Sequence, residues 1–372
     1  MNVKQILPVA VLAMGALAGC TNKEAKMTSG IKLENLDTTA VRGADFYQYA
    51  CGGWMAAHPL TDEYSRFGSF DYLAETNREQ LNGLIGEIAA GEHAQGTVAQ
   101  KIADLYNLAM DTAKLNAEGM APIKADFDRI AAIKTPAEVL EAMVELQGGA
   151  YFQFYVGADI MDSKNNIFQL HQGGIGLGEK EYYLDTDEAT TNIREGYKAH
   201  IVKMFQLIGQ DEKTATKNME AVMEIETRLA KKAFSAVEQR NPAANYHMLT
   251  LDELKKEIAG FDWDAYLNAV GVKGVTSMNV SQIEPVQEAV AIINEMPLDK
   301  QKAYLVWKLV DDAAAYLSED FVAQNFEFYG KVMSGKKEDQ PRWKKAVGTV
   351  NGVLGEAVGQ MYVEKYFPAA AK

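Results

Sequence analysis

The chain has 372 residues, enough for one large domain or two ordinary ones with a substantial buried core. Hydrophobic residues make up 48% and charged residues 24%, the balance of a globular chain and not of a disordered tail. A net charge of −14, from 37 basic and 51 acidic residues, argues against a nucleic-acid partner, because a phosphate backbone would be repelled; the acidity is read as solubility.

The first residues form a targeting segment. Lys4 supplies a positive flank, and the apolar run from Ile6 to Ala18 is shorter than the roughly 20 residues that span a bilayer. It closes on Leu17-Ala18-Gly19-Cys20, the pattern of a bacterial lipobox, in which the thiol takes a lipid. The expected organisation is a signal peptide over 1–19, a lipidated Cys20 with a flexible linker over 20–40, and a helical body over 41–372. The protein is then an exported bacterial lipoprotein, at the outer membrane, periplasm or cell surface, held to a membrane only by its lipid anchor. Only Cys20 and Cys51 exist, so a lipidated Cys20 leaves Cys51 without an intramolecular partner, as a small apolar residue.

Between Asp45 and Asp71, DFYQYACGGW (45–54) and SRFGSFD (65–71) are dense in aromatics, glycine and charge at spacings that match neither a helix nor a strand. We read this stretch as the entry into a folded body, presenting polar groups to a cavity. From there the signals are helical. Leu81, Leu84, Ile85 and Ile88 mark one face of a helix over 73–89. Thr97 to Gln100, Thr135 to Glu138 and Thr250 to Glu253 are capping boxes, the second with Pro136 at the first helical position.

Residues 151–159 and 167–171 are aromatic and β-branched around a polar turn, which predicts one β-hairpin over about 151–171. The glycines of QGGIGLGEKEYYL (172–184) do not form a dinucleotide loop, since Glu179 stands where the third glycine is needed. Ile193, Tyr197, Ile201, Phe205 and Ile208 define another helix, with His200 beside the stripe as a packing or surface histidine. A break at 239–246 is followed by helices near 282–295, 299–317, 320–333 and from Pro341 to Phe367. Gly355 and Gly359 in the last would let a neighbouring helix approach closely. The fold class is therefore mainly α: a multi-helix lobe with one small hairpin.

Six motifs occur in order: DFYQYACGGW, SRFGSFD, LGEKEYYL (177–184), RxxYxxHIxxMF (194–205), PRWKK (341–345) and LGEAVGQMYVEKYF (354–367). Together they resemble the N-terminal, non-catalytic part of the neprilysin family of zinc endopeptidases, which includes endothelin-converting enzymes and bacterial oligopeptidases. The resemblance implies a two-lobed helical peptidase that encloses short peptides and excludes folded proteins. It implies zinc in a second lobe, held by His-Glu-x-x-His and a third carboxylate. None of His58, His93, His171, His200 and His247 is followed by glutamate, and no two are four apart, so no metal ligand or catalytic residue is expected in this chain. The expectation is a family member that stops before its catalytic lobe and is inactive alone. The alternative is a stand-alone peptide-binding or interaction lipoprotein, a pseudo-peptidase lobe.

The resemblance also assigns substrate-binding residues. The arginine of the SRFGSFD segment, Arg66, is implied to bind the free C-terminal carboxylate of the peptide, with Asp71 helping to hold it. A guanidinium offers a planar, bidentate donor pair suited to that role. The competing reading is a structural salt bridge from Arg66 to Asp62, Glu63 or Asp71. Two departures stand out: Cys51 lacks the pairing partner it has in animal members, and His247 replaces the family's usual asparagine.

Overall fold

The structure, a computed structural model, describes residues 32–145, 150–367 and 369–371. The expected leader over 1–19, lipidated Cys20 and the start of the linker lie outside the described residues. The chain divides into two compact units, Met1–Pro59 and Leu60–Lys372.

The first unit corrects two expectations. Residues 46–57, which show no helical period, form helix α1 (Phe46–Ala57), capped by Asp45 Oδ1, which accepts from the Gln48 amide at 2.9 Å. The glycines hide the pattern because they serve contact. A Cβ on Gly53 would lie 2.3 Å from the Glu34 carbonyl oxygen, and one on Gly52 would strike the Gln48 and Asp37 side chains. The segment that approaches them is 32–40, the end of the expected flexible linker. It is folded: Leu33–Asn35 makes a 3₁₀ turn, the Asp37 amide donates to the Tyr49 carbonyl at 2.8 Å, and Gln48 Nε2 donates to Asp37 Oδ2 at 2.9 Å.

The second unit begins with α2 (Ser69–Ala89), α3 (Val98–Met110), α4 (Thr112–Glu118), α5 (Lys124–Ala132) and α6 (Pro136–Glu145). Two of the expected capping boxes form by half: the hydroxyls of Thr97 and Thr135 accept from the amides of Gln100 and Glu138, while the Gln100 and Glu138 side chains accept from the amides of Gly96 and Lys134, one residue before each cap. The hairpin follows as β1 (Phe152–Ala158) and β2 (Asn166–Gln172), antiparallel, with Phe152 opposite Gln172. Then come α7 (Glu181–Leu184), α8 (Glu188–Leu207), α9 (Glu212–Lys232) and α10 (Ala236–Gln239). β3 (Met248–Thr250) leads through the Thr250 capping box into α11 (Leu251–Glu257) and α12 (Trp263–Ala269). β4 (Ser277–Val280) runs parallel to β2 and antiparallel to β3, so the hairpin is the edge of a four-stranded sheet ordered β1-β2-β4-β3. β3 and β4 are too short to show a period of two.

The remaining helices are α13 (Ile283–Glu295), α14 (Leu298–Ala313), α15 (Glu319–Asn325) and α16 (Arg342–Tyr366). The single helix expected over 320–333 changes character at Phe326, and Phe326–Met333 is a π-helix. Gly330 permits the wide turn, since a Cβ there would meet the Phe326 ring at 2.1 Å. Gly355 and Gly359 do not receive a helix: among the described residues nothing lies within 4 Å of either missing Cβ. α16 bends at Leu354, where φ is −122° and ψ is 26°, and buries Val347, Val350 and Val358 instead.

Two cores result. The larger joins the sheet to α8, α9, α13 and α14, with Phe152, Tyr197, Trp263, Tyr266, Tyr304 and Trp307 essentially inaccessible. The smaller packs α2, α3 and α16 through Ile85, Ile102, Val347, Val350 and Val358. Among the described residues no helix is long and apolar enough to cross a membrane.

Candidate functional site

Arg66 stands on the loop before α2, and this loop is fastened on both sides of it. The Asp62 carbonyl accepts from the amides of Lys337 and Glu338, each at 3.0 Å, and its carboxylate meets Lys337 Nζ at 3.1 Å. Glu63 Oε2 lies 2.6 Å from Lys344 Nζ. The Tyr64 ring packs edge-on to Phe67 with centroids 5.0 Å apart, and its hydroxyl donates to Glu75 Oε1. On the far side, Asp71 Oδ2 accepts from the Gly68 amide at 2.8 Å, closing the first turn of α2.

Lys344 is the centre of this arrangement. Its side chain is only 8% exposed, and its ammonium touches Glu63 and, at 2.7 Å, Glu75 of α2. Arg78 completes the cluster through Glu75 Oε1. Burial pushes the Glu75 carboxyl upward, but hydrogen bonds from Lys344 and Tyr64 and the charge of Arg78 outweigh it and hold the group below its ordinary value. Burial likewise opposes the charge on Lys344, and the two glutamates raise its pKa nonetheless.

The consequence falls on Arg66. Asp62, Glu63 and Asp71, its expected structural partners, are engaged with Lys337, Lys344 and the Gly68 amide respectively. Arg66 is exposed, and among the described residues no hydrogen bond or ion pair engages it. The structural salt bridge is therefore not formed. Asp71 is a helix cap and does not pair with Arg66. Four residues beyond Arg66, Phe70 is 85% exposed, and Leu73 is 64% exposed one turn further on. Along the sequence Phe70 is not singled out and Leu73 figures only as a helix start, Glu63 figures only as a possible partner of Arg66, and Glu75, Arg78 and Lys344 are given no role of their own. The only signal for the cluster is the position of Lys344 inside PRWKK.

A second polar cluster lies in the larger core. Glu226 of α9 is wholly buried; its oxygens accept from the hydroxyls of Tyr183 at 2.6 Å and Tyr197 at 3.1 Å. The Leu177 amide donates to the Tyr183 hydroxyl, and Trp307 Nε1 donates to that of Tyr197, both at 3.0 Å. Burial pushes the Glu226 carboxyl up to about 7, only partly offset by the charge of Lys308 and the tyrosine hydrogen bonds. The glycine-rich segment 172–178 is thus a structural loop: a Cβ on Gly176 would sit 1.9 Å from the Tyr197 hydroxyl. His200 is a buried packing residue, stacked on Phe328 with centroids 5.1 Å apart, its Nε2 lying 3.6 Å from Asp311 Oδ1.

The other named residues have structural places. His58 Nδ1 lies 2.8 Å from the Trp54 carbonyl, His93 Nε2 2.6 Å from the Ile88 carbonyl, and His247 Nδ1 3.0 Å from the Val280 carbonyl. Cys51 is half-buried within α1. Among the described residues no group of three or more His, Cys, Asp or Glu side chains could hold a metal ion.

The fold and site together define a mainly helical lobe that presents a braced, unpaired guanidinium and holds no metal cluster among its described residues. The family model described as Peptidase family M13, in its N-terminal form, matches residues 43–372, and the chain belongs to that family. Endothelin-converting enzyme 1 of Rattus norvegicus is 27% identical over 365 residues, covering 93% of this chain and 47% of the relative. Human membrane metallo-endopeptidase-like 1 is 26% identical over 383 residues, covering 95% and 48%. Mycobacterium tuberculosis zinc metalloprotease ZMP1, solved in complex with inhibitor, superposes with a TM-score of 0.86 at 29% identity, over 91% of this chain and 52% of that one. The chain therefore spans about half the length of these relatives. The resemblance to the N-terminal part of neprilysin-type metallopeptidases holds. The family's members are zinc metallopeptidases.

Proposed function

We infer that this chain is the substrate-enclosing lobe of an exported zinc endopeptidase acting on short peptides, and that Arg66 receives the free C-terminal carboxylate of the peptide. The supporting observation is the state of Arg66: it is exposed on a fastened loop while Asp62, Glu63 and Asp71 are each held by another group. A pre-positioned guanidinium without an internal partner gives up no existing ion pair when a carboxylate arrives. Exposed Phe70 and Leu73 offer apolar surface to the side chains that precede that carboxylate. Asp71 assists indirectly, by fixing the Gly68 end of the loop.

Hydrolysis would be carried out by zinc held in a second lobe, because this sequence contains no His-Glu-x-x-His. The chain by itself is expected to bind peptides without cleaving them. Cys20 would carry the lipid that tethers it after export. The test compares a dye-labelled pentapeptide of alanine and phenylalanine bearing a free C-terminus with its C-terminal amide. Wild type should prefer the acid about tenfold or more, and Arg66→Ala should remove that preference. An equal loss for acid and amide would overturn the carboxylate role, and chelator-sensitive cleavage by the purified chain would overturn the assignment as a non-catalytic lobe.

A further inference from the structure

We propose that Lys344 is the positioning residue for carboxylate recognition: by bridging Glu63 and Glu75 it locks the Arg66 loop onto α2. This inference rests on the carboxylate role of Arg66 and extends it to a residue that does not touch the ligand.

The setting of Lys344 is costly without that role. It is the third residue of α16, where the helix dipole disfavours a cation, and its side chain is 8% exposed. Two carboxylates on different elements compensate. Glu63 belongs to the loop, three residues before Arg66, and Glu75 to the second turn of α2, so one ammonium ties the loop to the helix at 2.6 and 2.7 Å. The rings of Tyr64 and Trp343 flank it at 5.8 and 5.7 Å and restrict water. The other fastenings act elsewhere: the Lys337 and Glu338 amides hold the Asp62 carbonyl at the start of the loop, the Asp71 cap holds its Gly68 end, and the Tyr64 hydroxyl makes one neutral hydrogen bond to Glu75, while the Asp62 to Lys337 ion pair is exposed and therefore weak. Lys344 alone among them brings a charge that neutralises both glutamates. With Lys344 removed, Glu63 and Glu75 would be like charges near each other without the cation they share, and the loop would loosen from α2 around Glu63.

The test measures acid and amide forms of the same labelled pentapeptide on the full chain, together with hydrogen exchange of the loop amides at 60–68. Lys344→Met should lower the acid preference about tenfold, leave amide binding unchanged and speed exchange across the loop; Lys344→Arg should restore both readouts. Glu63→Gln, which keeps the Lys344 to Glu75 contact, should give a smaller loss of about threefold and serves if Lys344→Met does not fold. Arg66→Ala separates the two ideas, because it should abolish acid preference with loop exchange unchanged. If Arg66→Ala keeps the acid preference, the carboxylate reading fails and this proposal with it. If Arg66→Ala behaves as expected while Lys344→Met and Glu63→Gln keep full acid preference, or lose acid and amide binding equally, the positioning role is overturned and the role of Arg66 stands.

Discussion

Around Lys344, at the edge of the smaller core, carboxylates meet cations; around Glu226, inside the larger core, a carboxylate meets tyrosine hydroxyls. Glu75 touches Lys344 and Arg78 and is held below its ordinary pKa, whereas Glu226 is wholly buried and rises to about 7. The same side chain is thus biased toward its charged form in one place and toward its neutral form in the other. Burial acts upward on both, and the presence of contacting cations decides the outcome. The first cluster organises a surface loop that can meet a ligand. The second joins α7, α8, α9, α14 and the 173–178 loop from within the core.

The largest effect is expected at Glu226. Glu226→Ala should cost about 4 kcal/mol, because it leaves the hydroxyls of Tyr183 and Tyr197 without their acceptor and opens a void in the larger core; urea melts at pH 6 measure it. The folded pKa of Glu226 is raised from 4.5 to about 7, so its contribution is full below pH 4.5 and is lost as the pH rises through 7, on the order of 3 kcal/mol in all. Glu226→Gln should flatten that part of the profile, and an unchanged slope would remove Glu226 as its source.

Glu75 runs the other way. Its folded pKa is lowered from 4.5, so its contribution is present above that value and fades as the pH falls through the folded value. Lys344→Met should cost about 2 kcal/mol at pH 7, and the gap from wild type should narrow as the pH falls and Glu75 takes up its proton; denaturant melts at neutral and acid pH decide it. Arg66→Ala, at an exposed side chain without an internal partner, should change stability by no more than about 0.5 kcal/mol while removing acid preference. A large loss of stability would mean that Arg66 is structural after all.

Much of the fold can be read along the chain where one element carries its own signal. The caps at Thr97, Thr135 and Thr250, the stripe from Ile193 to Ile208 and the hairpin need only local chemistry. α1 escapes such a reading because Gly52 and Gly53 answer to residues 34–37, which fold against them, and not to a helical period. β3 and β4 escape it because strands of three and four residues owe their existence to their neighbours. The π-helix at Phe326–Met333 depends on the Phe326 ring resting against Gly330, a contact that spacing alone does not disclose.

The helical class, the caps, the ordered motifs of the family and the lack of a His-Glu-x-x-His in this sequence are legible along the chain, because each is a property of neighbours. The resemblance carried by those motifs singles out Arg66 but leaves open whether its guanidinium is paired. Folding answers that, by bringing Lys344 across 281 residues to Glu63 and Lys337 to Asp62, so that the acids beside Arg66 are already occupied. Pairing of charges is settled by distance and burial, and those exist only once the chain has folded.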